Sequence, residues 1–226
     1  MLAENTSFNV HQAAYEGRYE ELKIKVLANN RLLTQTDDSG RQALHWAACG
    51  GHEEIASFLI EHGAPVDSAD DCGWTPLMIA SSAGREQVVR LLIGRGADVN
   101  FQNNGDHSAL QYASSKDHYE IVPILLDHGA NVNMQDNMGA TALHRASSKG
   151  NVRVMVRLLQ CNMCSVNIQD KEGNTPLHLA CEEERLAAVR LLLEHNASTS
   201  MVNKAGKSPL QMTNTSLRHL THMNEL

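Results

Sequence analysis

The sequence predicts an all-α repeat solenoid, and three features of the chain support that prediction. The first is a leucine that recurs at steps of 33, 33, 33, 34 and 33 residues, namely Leu44, Leu77, Leu110, Leu143, Leu177 and Leu210. The second is a glycine that stands four residues before most of these leucines and is placed to form a turn. The third is the small size of each unit, which cannot bury its own apolar face and needs stacked neighbours. A period of this length held along the chain is typical of stacked repeat proteins.

Each repeat is expected to contain a hairpin turn followed by two helices, and Asp170–Cys181 shows why. The Asp-x-x-Gly sequence favours a tight turn in which Gly173 takes a positive φ. Thr175 can cap the helix that follows, and Pro176 occupies its first position, where a missing N–H costs nothing. The sequence Thr-Pro-Leu-His-Leu-Ala resembles the ankyrin repeat, whose signature is T-P-L-H-x-A. We therefore expect an ankyrin-type solenoid.

The period divides the chain into seven repeats within one domain, residues 1–226. The expected boundaries are near 1–37, 38–71, 72–104, 105–137, 138–171, 172–204 and 205–226. The first repeat is an atypical cap in which residues 11–14 replace the usual helix start. The last repeat is expected to end in a polar helix that contains Leu217 and Leu220, because a terminal repeat faces water.

Three departures from the period mark the fourth and fifth repeats. Asp106 occupies the hairpin-glycine position, so we expect the turn to be shifted by one residue toward Gly105. Pro123 lies early in the second helix of the fourth repeat, where we expect it to remove one hydrogen bond and to kink the helix start. The fifth repeat carries one inserted residue between Gln160 and Ser165. A locally altered loop is expected there.

Composition and charge limit the classes of partner. The chain carries 19 Lys and Arg against 26 Asp and Glu, a net charge of −7, which argues against a general binder of nucleic acids. Five cysteines with no shared repeat position fit a reducing compartment better than a disulfide framework. Met1–Val10 lacks the pattern of a signal peptide, and no stretch approaches the roughly 20 apolar residues of a membrane span. We therefore expect a soluble monomer of the cytoplasm and nucleus, with neither nucleic-acid nor membrane partners.

The histidine and cysteine patterns give no case for catalysis or for a metal site. Nine of the 12 histidines lie at recurring repeat positions, which indicates structural roles: His11, His45, His52, His62, His118, His128, His144, His178 and His195. The other three have no nucleophile or base at a suggestive spacing. Cys161-x-x-Cys164 is half of a zinc-binding pattern, and no second pair completes it. We therefore expect a protein that is not an enzyme and that uses no cofactor and no metal.

Residues at two repeat positions are expected to face the concave groove of an ankyrin stack. One position follows the hairpin glycine and holds Arg41, Trp74 and His107, of which Trp74 is expected to be an exposed hot spot. The other position ends the first helix of each repeat and holds residues such as Lys116 and Lys149. The predicted partner-binding residues, called the groove set below, are Arg41, Trp46, Trp74, Arg85, His107, Tyr112, Lys116, Arg145, Lys149, Glu182 and Glu183.

The order of charged residues along the chain predicts a basic part and an acidic part of this groove. Residues 137–169 contain no acidic side chain but four basic ones, Arg145, Lys149, Arg153 and Arg157. Arg153 and Arg157 lie on a second helix and are expected to be solvated. The acidic run 182–184 follows one repeat later. The sequence therefore predicts a basic stretch and then an acidic one for a partner to meet.

A short motif in the sixth repeat allows a second interpretation. Leu179, Cys181 and Glu183 spell L-x-C-x-E, which pocket proteins of the retinoblastoma family bind in extended form. Leu179 and Cys181 also lie at packed-helix positions that Trp46 and Ala48 occupy in the second repeat. Binding to a pocket protein would then require the helix to melt. Both interpretations stay open at the level of the sequence.

Longer segments resemble one branch of the ankyrin-repeat proteins, the gankyrin family. The resemblance extends over the whole chain, and its main segments are Arg41–Ala47, Gly73–Leu77, Ala83–Arg85, Ala113–Lys116, Thr141–Ala146 and Asn167–Arg185. Several residues in these segments lie outside the general ankyrin consensus. The resemblance is therefore more specific than a shared fold.

The resemblance implies an assembly chaperone of the proteasome regulatory particle. Gankyrin-family proteins hold the C-terminal domain of one base ATPase in their concave face and so delay docking of the ATPase ring onto the proteolytic core. Arg41, Lys116 and Arg85 would meet acidic ATPase helices, and Glu182 and Glu183 would meet basic ones. The family is also linked to the retinoblastoma protein, a cyclin-dependent kinase and a p53 ubiquitin ligase. A regulatory scaffold for such cell-cycle proteins is the alternative function.

Overall fold

The structure, a computed structural model, describes residues 8–213. Within these residues it contains twelve α-helices, two short 3-10 helices and no strand, so the predicted all-α class is confirmed. The chain divides into two compact units between Asp98 and Val99, and each unit is described by itself. No helix in the described range is long and apolar enough to cross a membrane. The helix expected around Leu217 and Leu220 lies outside the described residues.

The first unit contains three helix pairs. Their bounds are α1 Val10–Glu16, α2 Tyr19–Ala28, α3 Ala43–Gly50, α4 Glu53–Glu61, α5 Pro76–Ala83 and α6 Glu86–Gly94, with a 3-10 helix at Asn30–Leu33. The inner helices α1, α3 and α5 pack side by side, and the outer helices α2, α4 and α6 form a second layer. Leu44, Leu59, Leu77 and Leu92 are fully buried between the layers. Burial of each such leucine contributes ~1.5–3 kcal/mol by area.

The second unit repeats this arrangement. Its helices are α7 Ala109–Ser115, α8 Ile121–Asp127, α9 Ala142–Lys149, α10 Val152–Leu159, α11 Pro176–Glu182 and α12 Leu186–Glu194, with a 3-10 helix at Pro209–Gln211. The inner helices α7, α9 and α11 stack in order, and α11 also packs against the final 3-10 helix. The outer helices α8, α10 and α12 form the second layer. Leu110, Leu125, Leu143 and Leu177 are buried in this core.

The hairpin turn of the fourth repeat is not shifted, contrary to the sequence-based expectation. Asp106 itself takes the left-handed conformation, with φ 59°, and Gly105 does not. The Asp106 N–H donates to the Asn103 carbonyl at 2.8 Å, just as the Gly73 N–H donates to Asp70 at 2.8 Å. An aspartate tolerates this conformation better than most side chains. The turn of the fourth repeat therefore stays at the same repeat position as the other turns. His107 therefore stands at the same position as Trp74.

Pro123 does not interrupt its helix, because α8 begins later than the other outer helices. Glu53 and Glu86 are the first residues of α4 and α6, whereas the equivalent Tyr119 precedes α8, which begins at Ile121. Pro123 therefore falls in the first turn, where a backbone N–H has no partner within the helix. The expected loss of a hydrogen bond is avoided by this shorter helix.

The inserted residue of the fifth repeat is absorbed within one loop. The Asn133 side chain donates to the Met163 carbonyl at 2.7 Å and accepts from the Ser165 N–H at 2.9 Å. Asn100 makes the equivalent pair of bonds one repeat earlier, to the Gly129 carbonyl and from the Asn131 N–H. The contacts between neighbouring hairpin loops are thus restored from Ser165 onward.

Candidate protein-binding site

The residues that close the hairpins form a set that sequence reasoning missed. Its members recur at the repeat period: Asp37, Asp70, Asn103, Asp136, Asp170 and Asn203. In each, one side-chain oxygen accepts two backbone N–H groups of its own hairpin, as Asp70 Oδ1 does from Cys72 and Trp74. In the first four members, the other side-chain atom bonds a residue of the groove set. The recurrence at 33 or 34 residues was the signal that could have revealed this set, called the aspartate column below.

Arg41 is bound by the aspartate column in the first unit. Its Nε donates to Asp70 Oδ2 at 2.9 Å, and the Asp70 side chain is only 2 % exposed. The guanidinium also lies over the Trp46 ring, 5.5 Å from its centroid. Arg41 therefore stabilises the fold, and its charge is paired within the chain although the side chain reaches the surface.

Trp46 joins Arg41 in the same cluster. Its indole Nε1 donates to Asp37 Oδ2 at 2.9 Å, and its ring meets Tyr15 edge to face at 5.9 Å. A pocket of about 290 Å³ opens beside these rings, lined by Asn9, His11, Gln12, Tyr15, Asp37 and Trp46. The first repeat therefore contributes to a recess and does not serve as a cap alone.

Trp74 and Arg85, also in the first unit, are placed differently from the sequence-based expectation. Trp74 is half-buried where an exposed hairpin tip was expected. Its carbonyl accepts from His45 Nε2 at 3.1 Å, which ties its backbone to the preceding repeat. Arg85 Nε donates to the Cys49 carbonyl at 2.9 Å and so caps the end of α3. Its side chain also packs over Gly51, where a Cβ would lie 2.8 Å from Arg85 Cδ. Arg85 is thus engaged at a helix end.

Arg145, His107 and Tyr112 form one cluster in the second unit. Arg145 Nε donates to Asp136 Oδ2 at 3.1 Å, its NH2 group also donates to that oxygen, and the Asp136 side chain is fully buried. His107 Nε2 lies 3.6 Å from the same oxygen, and its ring stacks on Tyr112 at 5.4 Å. The Tyr112 hydroxyl accepts from Asn103 Nδ2 at 2.8 Å. The aspartate column thus holds all three side chains.

His107 is biased toward its neutral form in this cluster. Burial lowers the pKa of His107 from its ordinary value, and the Arg145 guanidinium lowers it further, against the opposing effect of Asp136. In keeping with a neutral ring, His107 Nε2 accepts from the Arg145 NH2 group at 3.4 Å. The small recess beside it, about 110 Å³, is lined by His107, Gln111, Tyr112, Ser115 and Arg145.

The charged residues at the ends of the inner helices are exposed in the second unit. Lys116 follows α7, Lys149 ends α9, and Glu182 and Glu183 end α11. Glu183 makes one weak contact, 3.7 Å from the Arg185 guanidinium. These side chains are available to a partner in a way that Arg41 and Arg145 are not.

The histidines at the T-P-L-H position are structural, as their spacing suggests. His45, His144 and His178 are fully buried. In each, Nδ1 accepts the N–H of the residue that caps the helix, and Nε2 donates to a carbonyl of the next hairpin. Burial lowers the pKa of all three imidazoles, although their carbonyl partners act in the opposite direction. These side chains join neighbouring repeats.

The L-x-C-x-E motif is folded into α11. Cys181 is fully buried and Leu179 is half-buried, whereas Glu183 is exposed at the helix end. We expect Cys181→Leu to destabilise the fold by ~1–3 kcal/mol, because the added methyl groups have no space in the packed core. Glu183→Ala is the matched surface change and should leave urea denaturation almost unaffected. Equal effects of the two changes would contradict this view of the motif.

The Cys161–Cys164 loop is expected to be a connection without a metal. Burial, with a smaller effect of Cys161, raises the pKa of Cys164 to about 11, so its thiol stays protonated. Within residues 8–213 no three His, Cys, Asp or Glu side chains are grouped to hold a metal ion. We expect Cys161→Ser to leave the melting temperature nearly unchanged with or without chelator. Stoichiometric zinc in the purified protein would show the expectation to be wrong.

Comparison with known proteins agrees with the repeat geometry. The family model described as ankyrin repeats (3 copies) matches residues 10–103, 95–170 and 153–225, which together cover most of the chain. The chain belongs to the ankyrin-repeat family. Ankyrin repeats form a protein-interaction fold that is typically non-enzymatic. The ankyrin-repeat domain of human ASB11 has a similar structure, with a TM-score of 0.86 and 27% identity over 97% of this chain and 98% of that one.

One segment of this ankyrin-repeat chain is also similar to a proteasome subunit. It is 52% identical over 50 residues to the human 26S proteasome non-ATPase regulatory subunit 10, and 50% identical over 50 residues to the mouse protein. Each match spans 22% of this chain and 22% of the relative. The chain is therefore related to that subunit, as the sequence resemblance indicated, over about a fifth of the relative's length.

Proposed function

We propose that this ankyrin-repeat protein is an assembly chaperone of the proteasome regulatory particle, which binds the C-terminal domain of one base ATPase through the groove set. The single observation that carries the proposal is the segment 52% identical to a proteasome regulatory subunit. The protein would act in the cytoplasm and nucleus. While it is bound, the ATPase would be kept from docking onto the proteolytic core.

Exposed charge at the inner-helix ends supports this mode of binding. Lys116 and Lys149 would attract acidic helices of the ATPase domain, and Glu182 and Glu183 would attract basic ones. Charge complementarity of this kind raises the association rate and fixes orientation, since opposite potentials steer the encounter. Half-buried aromatic residues such as Trp74 and Tyr112 would then set the lifetime of the complex.

Association kinetics of two double variants test the proposal. We expect Lys116→Glu with Lys149→Glu to slow association with the isolated ATPase C-terminal domain by about tenfold or more at low salt. The salt dependence should weaken as well, because repulsion replaces attraction. Both changes should be tolerated by the fold, since Glu183 occupies the same position in the sixth repeat. Surface plasmon resonance at two salt concentrations measures both quantities.

The matched control reverses two charges on the outer helices of the same unit. Arg157 on α10 and Arg190 on α12 are exposed, and their change to glutamate alters the net charge equally. Arg153 is less suitable because its guanidinium stacks on the Tyr119 ring at 3.2 Å. If the outer pair slows association as much as the inner pair, recognition does not use the inner-helix ends. Absence of any binding to the ATPase domain would contradict the proposed function itself.

The cell-cycle scaffold gains no support from the geometry. Its specific sequence signal was the L-x-C-x-E motif, and Cys181 of that motif is fully buried in α11. A pocket protein that binds the motif in extended form would have to unfold this helix.

A further inference from the structure

In two aspartates of the column, the second carboxylate oxygen binds an arginine. Asp37 differs from them, because its second oxygen does not. Asp70 Oδ2 binds Arg41, and Asp136 Oδ2 binds Arg145. Within residues 8–213 no lysine or arginine lies within ion-pair distance of Asp37. Its Oδ1 accepts the N–H groups of Ser39 and Arg41, and its Oδ2 accepts only the neutral indole of Trp46. Among the described residues, the negative charge of Asp37 is therefore not balanced by an ion pair.

Asp37 stays ionised in this setting. Burial acts to raise the pKa of Asp37, but the backbone N–H groups of Arg41 and Ser39 and the Trp46 indole outweigh it and lower the pKa. The neighbouring His11 also acts to lower the pKa of Asp37, and its Nε2 is already bonded to the Gln35 carbonyl at 2.9 Å. The carboxylate thus offers a charged acceptor at the wall of the pocket.

The pocket next to Asp37 has the shape and lining for a side chain with an apolar stem. Tyr15 and Trp46 meet at 85°, which leaves a corner of two aromatic rings, and Tyr15 is 48 % exposed. The volume, about 290 Å³, has room for a long side chain. Aromatic faces attract cations and pack against methylene groups, so this corner suits a lysine better than an apolar residue.

We propose that this pocket binds a lysine side chain of the protein partner, with the ammonium on Asp37 Oδ2 and the aliphatic stem against Tyr15 and Trp46. This ion pair would balance the charge of Asp37 as Arg41 balances the charge of Asp70. Lysine fits better than arginine because Oδ2 already accepts the indole N–H and has room for one more donor. A guanidinium presents several donors in a fixed fork, whereas an ammonium is a compact charge. The inference rests on the proposed protein-binding role but not on the identity of the partner.

The two tryptophans of the chain provide the measurement. The indole N–H of Trp46 is bonded to Asp37 and reports the pocket by nitrogen-15 NMR, and that of Trp74 serves as an internal control. The probe is N-acetyl-lysine methylamide, titrated into the full chain at about pH 8, where ordinary imidazoles are neutral. We expect a saturable shift of the Trp46 indole signal, with a dissociation constant on the order of 10 mM for so small a ligand. The Trp74 signal should stay in place.

Comparison of Asp37→Asn with Asp38→Asn distinguishes a specific ion pair at Asp37 from a general effect of negative charge on lysine binding. Asparagine stands at the Asp37 position in two other repeats, as Asn103 and Asn203, where it keeps the bonds to the hairpin N–H groups. Asp37→Asn should therefore fold, and we expect it to weaken lysine binding by about tenfold or more. Asp38 is an exposed neighbour, and its change to asparagine should have little effect.

Any of the following results would overturn the inference. The first is an equal shift with the norleucine analogue, which would show an apolar pocket with no preference for charge. The second is tighter binding of the arginine analogue, which would reassign the occupant. The third is either no shift of the Trp46 signal or equal losses for the two asparagine variants. None of these results depends on the ATPase, so a failure here is distinguishable from a failure of the proposed function.

Discussion

Arg145→Ala is expected to lower the free energy of unfolding by ~2–4 kcal/mol, a large part of the stability of an ordinary domain. Its partner Asp136 is fully buried and would keep only the backbone N–H groups of Met138 and Ala140 as donors. An ionised carboxylate left without its cation in the interior is costly. Urea denaturation measures the change directly.

The loss should be smaller at low pH. His107 Nε2 lies 3.6 Å from Asp136, and removal of the Arg145 charge lets the pKa of His107 rise. Because the pKa of His107 is lowered in the folded state, this histidine costs stability as the pH falls below its ordinary pKa, and the cost shrinks when the lowering is reduced. Arg145→Ala should therefore be less harmful at about pH 5.5 than at about pH 8.

A rescue variant distinguishes a buried ion pair from simple loss of volume. Asp136→Asn with Arg145→Tyr reproduces the pair that Asn103 and Tyr112 form in the preceding repeat, at 2.8 Å. We expect this double variant to recover most of the stability. A loss of less than about 0.5 kcal/mol for Arg145→Ala, the range of ordinary surface changes, would show that Asp136 does not need its arginine.

Stability should fall steeply as the pH is lowered below about 6.5, the ordinary histidine pKa. His45, His144 and His178 have lowered pKa values because they are buried. Between the lowered and the ordinary pKa, each takes up its proton only on unfolding. Their contribution is thus complete above the ordinary pKa and is lost as the pH falls. The limiting slope is about 1.4 kcal/mol per pH unit for each histidine.

Glutamine at these three positions should flatten the pH dependence without loss of the fold. Gln111 occupies the same position in the fourth repeat, where its Oε1 accepts from Ser108 at 2.8 Å and its Nε2 donates to Ala140 at 2.7 Å. The triple variant with glutamine at His45, His144 and His178 should therefore keep both bonds of each imidazole. Urea denaturation from about pH 8 to about pH 5 measures the slope.

The control replaces three histidines that lie at the ends of outer helices. His62, His128 and His195 each bond a carbonyl of the preceding turn from a partly or fully exposed position. Their change to glutamine removes the same number of imidazoles, yet it should leave the slope as it is in the unmodified protein. Equal flattening by the two triple variants would contradict the assignment to the buried set.

The positions of the turns and helices were readable because they depend on neighbours in the chain. Gly173 and Thr175 signal a hairpin and a helix start through local geometry, and the structure has both. The exceptions were also local. Asp106 took the left-handed conformation itself, and α8 began later so that Pro123 fell in its first turn. Sequence rules state which conformations cost energy, but they do not say which of two compensations a chain adopts.

The candidate site was predictable as a set of positions but not as a set of bonds. Arg41 follows a hairpin glycine and Arg145 lies on an inner helix, yet both bind an aspartate of the column. Arg41 binds one 29 residues ahead in the next hairpin, and Arg145 binds one nine residues behind in its own. Arg85 belongs to neither arrangement and caps a helix of the preceding repeat. Which carboxylate reaches which cation depends on distances between repeats, which the period alone does not specify.

The sequence by itself therefore determined the all-α repeat class, the helix pairs and the period of the hairpin turns. These follow from periodicity and from backbone preferences, which act over a few residues. Only the tertiary structure decided that Asp70 and Asp136 are neutralised within the chain while Asp37 is not. That difference arises because a buried charge can be balanced only by a donor that lies within about 4 Å of it. Packing of the stacked repeats decides which donors lie that close.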